Sequence, residues 1–114
     1  MSTASQKQNL IAAVMQIRAA EQLLLDVSRS SSNTAQLIRI NTEYTHLDSY
    51  LSQILHAQAL TDDAEFASAT TMLKGQASVL EVDQKAIDKV VGDVATAGKI
   101  VGYIAQAVQI IAKL

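Results

Sequence analysis

Apolar residues recur every seven positions along most of the chain, in paired rows typical of a helix with one apolar seam. In the segment 3–27 the rows are Leu10, Ile17 and Leu24, beside Ala13, Ala20 and Val27. In the segment 34–60 they are Leu37, Tyr44 and Leu51, beside Ile40, Leu47 and Ile54. The pattern therefore predicts two long amphipathic helices at about these positions.

A serine-rich break separates the two predicted helices, over residues 28–34. Serine and asparagine side chains compete with helical backbone hydrogen bonds, and Ser32 or Asn33 is a suitable N-cap for the second helix. Each helix of about 25 residues would be about 40 Å long. A short loop between two rods of equal length predicts an antiparallel helical hairpin over residues 3–60.

The C-terminal segment, residues 62–113, begins with a strong helix signal. Thr61 can cap, and Asp62, Asp63 and Glu65 favour the positive end of a helix dipole. Two arrangements then fit the pattern. One is a helix that ends at a Gly75 cap, with a new helix capped by Asp83, and the other is a single rod. We favour a break between residues 75 and 83.

The last predicted helix, residues 83–113, is apolar over more than half of its circumference. Its rows are Ile87, Val94, Val101 and Val108, beside Val90, Ala97, Ile104 and Ile111, flanked by Val91, Gly98, Ala105 and Ala112 and by Ile100, Ala107 and Leu114. A helix of this kind is expected to be surrounded. It should be the central helix, lie at a subunit interface, or meet lipid.

Composition supports an all-α fold. The chain of 114 residues has no proline, no cysteine and four glycines, and its net charge is −2. Absent prolines allow long helices, absent cysteines exclude disulfides and thiolate metal sites, and the charge gives no basic surface for nucleic acid. We predict one domain, residues 1–114, folded as an antiparallel bundle of three to four long helices with the last helix central or at a subunit interface.

Candidate chemistry is sparse. Glu43 and His46 form a Glu-x-x-His pair like those of di-iron bundles, but their heptad positions place the histidine away from the core, so we interpret both as surface residues. His56 falls opposite the seam. The sequence therefore predicts no catalytic residue, no cofactor and no metal ligand, and a protein that is not an enzyme.

Contacts are the more informative prediction. Gly98 and Gly102 form a Gly-x-x-x-Gly pair, which favours a close helix–helix contact inside the fold or between subunits. Tyr44 is predicted in the core, and Tyr50 and Tyr103 as contact candidates. The predicted interaction residues are Val91, Val94, Gly98, Val101, Gly102, Tyr103, Ile104, Ala105, Val108 and Ile111.

Three functions fit these observations. We favour a non-enzymatic helical assembly or adaptor protein that contacts itself or another helical protein through its last helix. The first alternative is a membrane-active component of a pore-forming system, which is less favoured because no run of 18 uncharged apolar residues occurs. The second is a small secretion chaperone or inhibitor. No cleavable signal is evident, so we expect a cytoplasmic location, with non-classical export left open.

Overall fold

The computed structural model describes residues 3–114, which form four helices. These are α1 (Thr3–Ser30), α2 (Thr34–Ala59), α3 (Asp63–Val90) and α4 (Val94–Ala112). Three-residue segments join them, so successive helices run antiparallel, and the described residues contain no strand. The prediction of an all-α helical bundle is confirmed.

The four helices pack in a ring. Each packs against its neighbours in sequence, and α4 closes the ring against α1. The bundle measures 47 × 20 × 19 Å, as expected for rods of 19–28 residues side by side. Consequently α4 occupies one corner, between α3 and α1, and not the centre.

An acidic or amide side chain caps the start of three helices. Asn33 Oδ1 accepts a hydrogen bond from the backbone N–H of Gln36 at 3.1 Å, and Asp62 Oδ1 accepts one from Glu65 at 2.8 Å. Asp93 Oδ1 accepts from Ala95 at 3.1 Å. Such a cap is worth about 1 kcal/mol. Asn33 is one of the two predicted caps, whereas Asp62 takes the place of the predicted Thr61.

The break in the C-terminal segment is displaced from its predicted position. Helix α3 continues through Gly75 and Asp83 to Val90, and the chain turns at residues 91–93, so both the predicted break near 75–83 and the single rod are wrong. The turn forms because Asp93 offers two acceptors. Its second carboxylate oxygen accepts from Thr96 Oγ1 at 2.8 Å, which completes the cap and starts α4 at Val94.

The core lies between the four helices and contains residues from all of them. Its largest fully buried side chains are Leu10, Ile17, Leu24, Ile40, Leu47, Ile54, Phe66, Leu73, Leu80, Ile87, Ile100 and Ile104. In α4 the buried rows are Ala97, Ile104 and Ile111 with Ile100 and Ala107. The predicted row of Val94, Val101 and Val108 is displaced outward, and Val94 is 85% exposed.

The tyrosines exchange their predicted roles. Tyr50 is 3% exposed, and its hydroxyl donates a hydrogen bond to the carbonyl oxygen of Leu73 at 2.7 Å. Burial raises the pKa of Tyr50 to about 12, so the hydroxyl remains a donor. Tyr44, predicted in the core, is half-buried. Tyr50 therefore ties α2 to α3 and is not available for an external contact.

Side chains of α1 and α2 reach backbone carbonyls at both ends of the bundle. At one end Gln6 Nε2 donates to the carbonyl oxygen of Leu114 at 2.9 Å, and Lys7 Nζ donates to that of Leu60 at 2.6 Å. At the other end Gln36 Nε2 donates to the carbonyl oxygen of Val90 at 2.9 Å. These hydrogen bonds satisfy carbonyl groups at or just beyond helix C-termini, which lack helical partners.

Candidate functional site

Helix α4 has more apolar surface than the bundle buries. Five of its 19 residues are buried, a share similar to the seven of 28 in α1. Yet α4 is far more apolar than α1, in which polar residues cover the solvent-facing side. The excess apolar surface of α4 therefore faces outward.

The predicted interaction residues divide between the core and this outer side. Ile104 and Ile111 are fully buried and Val91 is 4% exposed, so these three pack within the chain's own bundle. Val94 and Gly98 are exposed, and Val101, Gly102, Tyr103, Ala105 and Val108 are half-buried. Only this second group can contact another molecule without unfolding the bundle.

Six of these residues share one face of α4. Each lies three or four positions from another member, and together they form the outer α4 surface: Val94, Gly98, Val101, Gly102, Ala105 and Val108. Its valines border α3, where Gln84 Nε2 donates to the carbonyl oxygen of Val101 at 3.2 Å. Glu81 and Lys85 of α3 line the same shallow groove as Val101, Ala105 and Val108. The surface is thus a flat apolar strip with a charged edge.

The two glycines of this strip have open space where a side chain would begin. A methyl group placed at Gly98 or Gly102 would meet no heavy atom within 4 Å, outside the glycine's immediate surroundings in its own helix. The Gly-x-x-x-Gly pair therefore does not serve a close crossing between helices of this chain. Of the two alternatives that the sequence left open, the close crossing inside the fold is therefore not found at this pair.

Comparison with known protein families, characterised proteins and solved structures finds no match to this chain. The function of the chain is therefore inferred from its own residues.

Helix α4 also meets the length and composition of a membrane span. Val94–Ala112 is the one helix within residues 3–114 that does so, with a mean hydropathy of 1.3, and 28% of this stretch is buried in the bundle. Core helices of water-soluble proteins pass the same test, so this observation alone is weak evidence.

A polar cluster lies between α2 and α3. Glu43 and His46 are one turn apart on α2, and Asp83 reaches them from α3. Nδ1 of His46 lies 3.1 Å from Asp83 Oδ1 and 3.8 Å from Glu43 Oε2. The interpretation of Glu43 as a surface residue is wrong, since it is only 8% exposed, whereas the His46 side chain is half exposed.

The two carboxyl groups of this cluster influence each other. Asp83 is 1% exposed. Burial, then the hydrogen bond and the negative charge of Asp83, raise the pKa of Glu43 well above its ordinary value, and the charge of His46 opposes that shift. We name Glu43, His46 and Asp83 the α2–α3 polar cluster.

A further acidic pair joins α1 and α2. Glu21 is 5% exposed, and Asp48 lies beside it on α2. Burial, followed by the hydrogen bond and the charge of Asp48, raises the pKa of Glu21 to about 7, although Arg18 acts in the opposite direction. The bundle thus holds a protonatable glutamate within two of its helix interfaces.

Sequence reasoning missed Asp83 as a member of a cluster. The signal was present, because Gln76 and Asp83 interrupt an apolar row of α3. The predicted break between residues 75 and 83 would instead make Asp83 the cap of a new helix. In the continuous α3 the same position points inward, toward Glu43 and His46.

Proposed function

We propose that this protein is a non-enzymatic helical assembly module that associates with a second copy of itself through the outer α4 surface. The observation that carries the proposal is the open space at Gly98 and Gly102, where an added Cβ atom would meet no atom of another helix of the fold within 4 Å. Small residues allow two helices to cross closely, and no other helix in the described part of the chain crosses α4 closely at Gly98 and Gly102.

Gly98 and Gly102 lower the stability of helix α4 relative to alanine at the same positions. Glycine within a helix is less favourable than alanine by about 1 kcal/mol, and neither position has a positive backbone φ that would require it. A second helix laid along the strip would use their small size, because glycine lets two helix backbones approach closely. The half-buried Val101 and Val108 would then be covered by the same partner.

The charged residues at the two ends of α4 have opposite signs, which favours pairing with a second copy in the antiparallel orientation. Asp93 caps the first turn, and its hydrogen bonds to Thr96 and Ala95 lower its pKa and keep it ionised. Lys113 caps the other end. An antiparallel pair of α4 helices related by a two-fold axis would bring the acidic end of each helix near the Lys113 end of the other. The helix dipoles also oppose each other in that arrangement.

Gly98→Glu is expected to weaken self-association by at least about tenfold, while the bundle stays folded. A glutamate here meets open solvent in the monomer but would place bulk and charge between two α4 helices. Sedimentation equilibrium of the untagged chain from about 1 to 500 μM measures the dissociation constant, with circular dichroism as the check on folding.

Gly75→Glu is the matched control. Gly75 is also an exposed helical glycine at which an added Cβ atom would meet nothing within 4 Å, but it lies on α3 outside the outer α4 surface. This variant should associate like the unmodified chain. A chain that stays monomeric over the whole concentration range, or equal effects of the two substitutions, would contradict the proposal.

A second candidate function is membrane association through α4. The length and hydropathy of Val94–Ala112 favour it, whereas the charged Lys99 within the helix opposes it. In this case the chain should float with lipid vesicles in a density gradient and release a trapped dye. Absence of flotation with both neutral and anionic vesicles, at neutral and acid pH, would remove this candidate.

A further inference from the structure

The α2–α3 polar cluster brings three potential metal donors together. One ligand atom from each of Glu43, His46 and Asp83 lies within 4.8 Å of the others. Glu43 and His46 come from successive turns of one helix, and Asp83 comes from the facing helix, so the donors converge from two rigid elements. This arrangement is independent of the outer α4 surface.

The carboxylates of the cluster have unused acceptor atoms. Oδ2 of Asp83 and Oε2 of Glu43 are buried and have no hydrogen-bond donor among the described residues. Asp83 as a whole is only 1% exposed to solvent. When both are ionised, the two facing carboxylates repel each other and carry a desolvation cost, which either a shared proton, as in the hydrogen bond between Glu43 and Asp83, or a bound cation relieves.

Few positively charged groups of the protein lie near the carboxylates of the α2–α3 polar cluster. The ion pairs that involve Glu43 and Asp83 within residues 3–114 are those with His46, whose side chain is 50% exposed. A single imidazole, even when protonated, balances one of two carboxylates. The cluster therefore contains two carboxylates but at most one positively charged group, so it can accept a further cation.

We infer that Glu43, His46 and Asp83 bind one divalent transition-metal ion, with Zn²⁺ as the best match. Around a tetrahedral Zn²⁺ with metal–ligand distances of about 2.0–2.2 Å, neighbouring ligand atoms are about 3.3 Å apart. The distances of 3.1 Å and 3.8 Å from His46 Nδ1 to the two carboxylates lie on either side of this value. Small rotations of the Glu43 side chain would bring its oxygen into place.

The donor set favours one group of metals. Imidazole with carboxylates suits Zn²⁺, Mn²⁺ and Fe²⁺, whereas Mg²⁺ and Ca²⁺ prefer oxygen ligands alone. Three protein ligands leave a position open, as in zinc sites that also bind water. His46 lines a shallow groove with Ser49, Gln53 and Val79, so a water molecule from this groove can reach the fourth position.

Titration of the untagged, chelator-treated chain with ZnCl₂ in a calorimeter tests this inference. We expect one site per chain, and an unfolding midpoint that rises when Zn²⁺ is added, because binding to the folded state alone stabilises it. Co²⁺ in place of Zn²⁺ should show the absorption bands of a low-symmetry four- or five-coordinate site. MgCl₂ at the same concentration should neither bind nor compete.

His46→Ala is expected to weaken Zn²⁺ binding by about 100-fold or more, since it removes the only nitrogen donor. His46 is half exposed, so its loss leaves the core intact. The matched control is His56→Ala, an exposed histidine ten residues along the same helix, which should bind like the unmodified chain.

Asp83→Asn supplies a second variant, with the same expected loss. No saturable binding of Zn²⁺, Co²⁺ or Mn²⁺ by the folded, unmodified chain up to about 1 mM would overturn the inference, whatever the variants do. Equal losses in the His46 and His56 variants would overturn it as well, because they would show non-specific binding to surface imidazoles.

Discussion

Ile104→Asp is expected to remove a large part of the free energy of unfolding of the single chain. Ile104 is 0% exposed in the core, so the substitution buries a carboxylate without a partner and removes a large apolar side chain. These effects cost at least about 3–5 kcal/mol, against a total stability of about 5–15 kcal/mol for a domain. Thermal and urea unfolding, followed by circular dichroism, measures the loss.

Gln106→Asp on the same helix is the control for that result. Gln106 is exposed, and a surface substitution there should change the free energy of unfolding by no more than about 0.5 kcal/mol. A well-folded monomeric Ile104→Asp chain would contradict the placement of Ile104 in the core. It would instead indicate that this residue lies at a contact between subunits.

Glu21→Gln is expected to stabilise the fold by about 1–2 kcal/mol at pH 8 and to have little effect at pH 4. The pKa of Glu21 rises from 4.5 to about 7 on folding, mainly through burial and then through Asp48. The whole shift corresponds to about 3 kcal/mol, and solvent screening at the neighbouring exposed Asp48 and Arg18 reduces it.

The direction of this effect follows from proton binding. The folded chain holds the Glu21 proton more tightly than the unfolded chain, so its contribution to stability is fully present below pH 4.5. That contribution is lost as the pH rises toward and through about 7, where a carboxylate must remain buried beside Asp48. Glutamine cannot ionise, so the variant avoids the loss.

Urea unfolding of both chains at pH 4 and pH 8 measures the difference. Glu81→Gln is the control, because Glu81 is an exposed glutamate on α3 and its substitution should have the same small effect at both values. A difference between Glu21→Gln and the unmodified chain that does not change between pH 4 and pH 8 would contradict the assignment.

The first helical hairpin could be predicted from the sequence because two signals agreed there. The seven-residue rows place the seam, and the serine-rich segment with Asn33 interrupts it at the point where the structure turns. Local and tertiary preferences point to the same arrangement, which is the condition under which sequence patterns are most informative.

The second hairpin was predicted less well because its signals disagreed. Ile87, Val94 and Val101 keep a seven-residue spacing across the real turn, so the pattern hides it. The capping hydrogen bonds of Asp93 outweigh that pattern, and Val94 becomes the most exposed of the large apolar residues. Gly75, the apparent break, is simply an exposed helical glycine.

The candidate sites, too, could be predicted only in part from the sequence. The sequence identifies Gly98 and Gly102 as small residues on one side of a helix, but only the ring of four helices shows that this side faces outward. Likewise, Glu43 and His46 are evident as a pair, whereas the arrival of Asp83 depends on how α3 is rotated against α2. Helix rotation is a property of the packed bundle and is not encoded in local spacing.

The closure of the ring by α1 and α4 has a consequence for how the chain folds. Three sides of the ring join helices that are consecutive in sequence, and only this fourth side joins distant ones. Loop-closure entropy makes early pairing of distant segments unfavourable, so the hairpins should form first and the α1–α4 seam last. Without prolines, no slow peptide-bond isomerisation delays that order. The α1–α4 seam, which includes the hydrogen bond from Gln6 to Leu114, then completes the ring once both hairpins are in place.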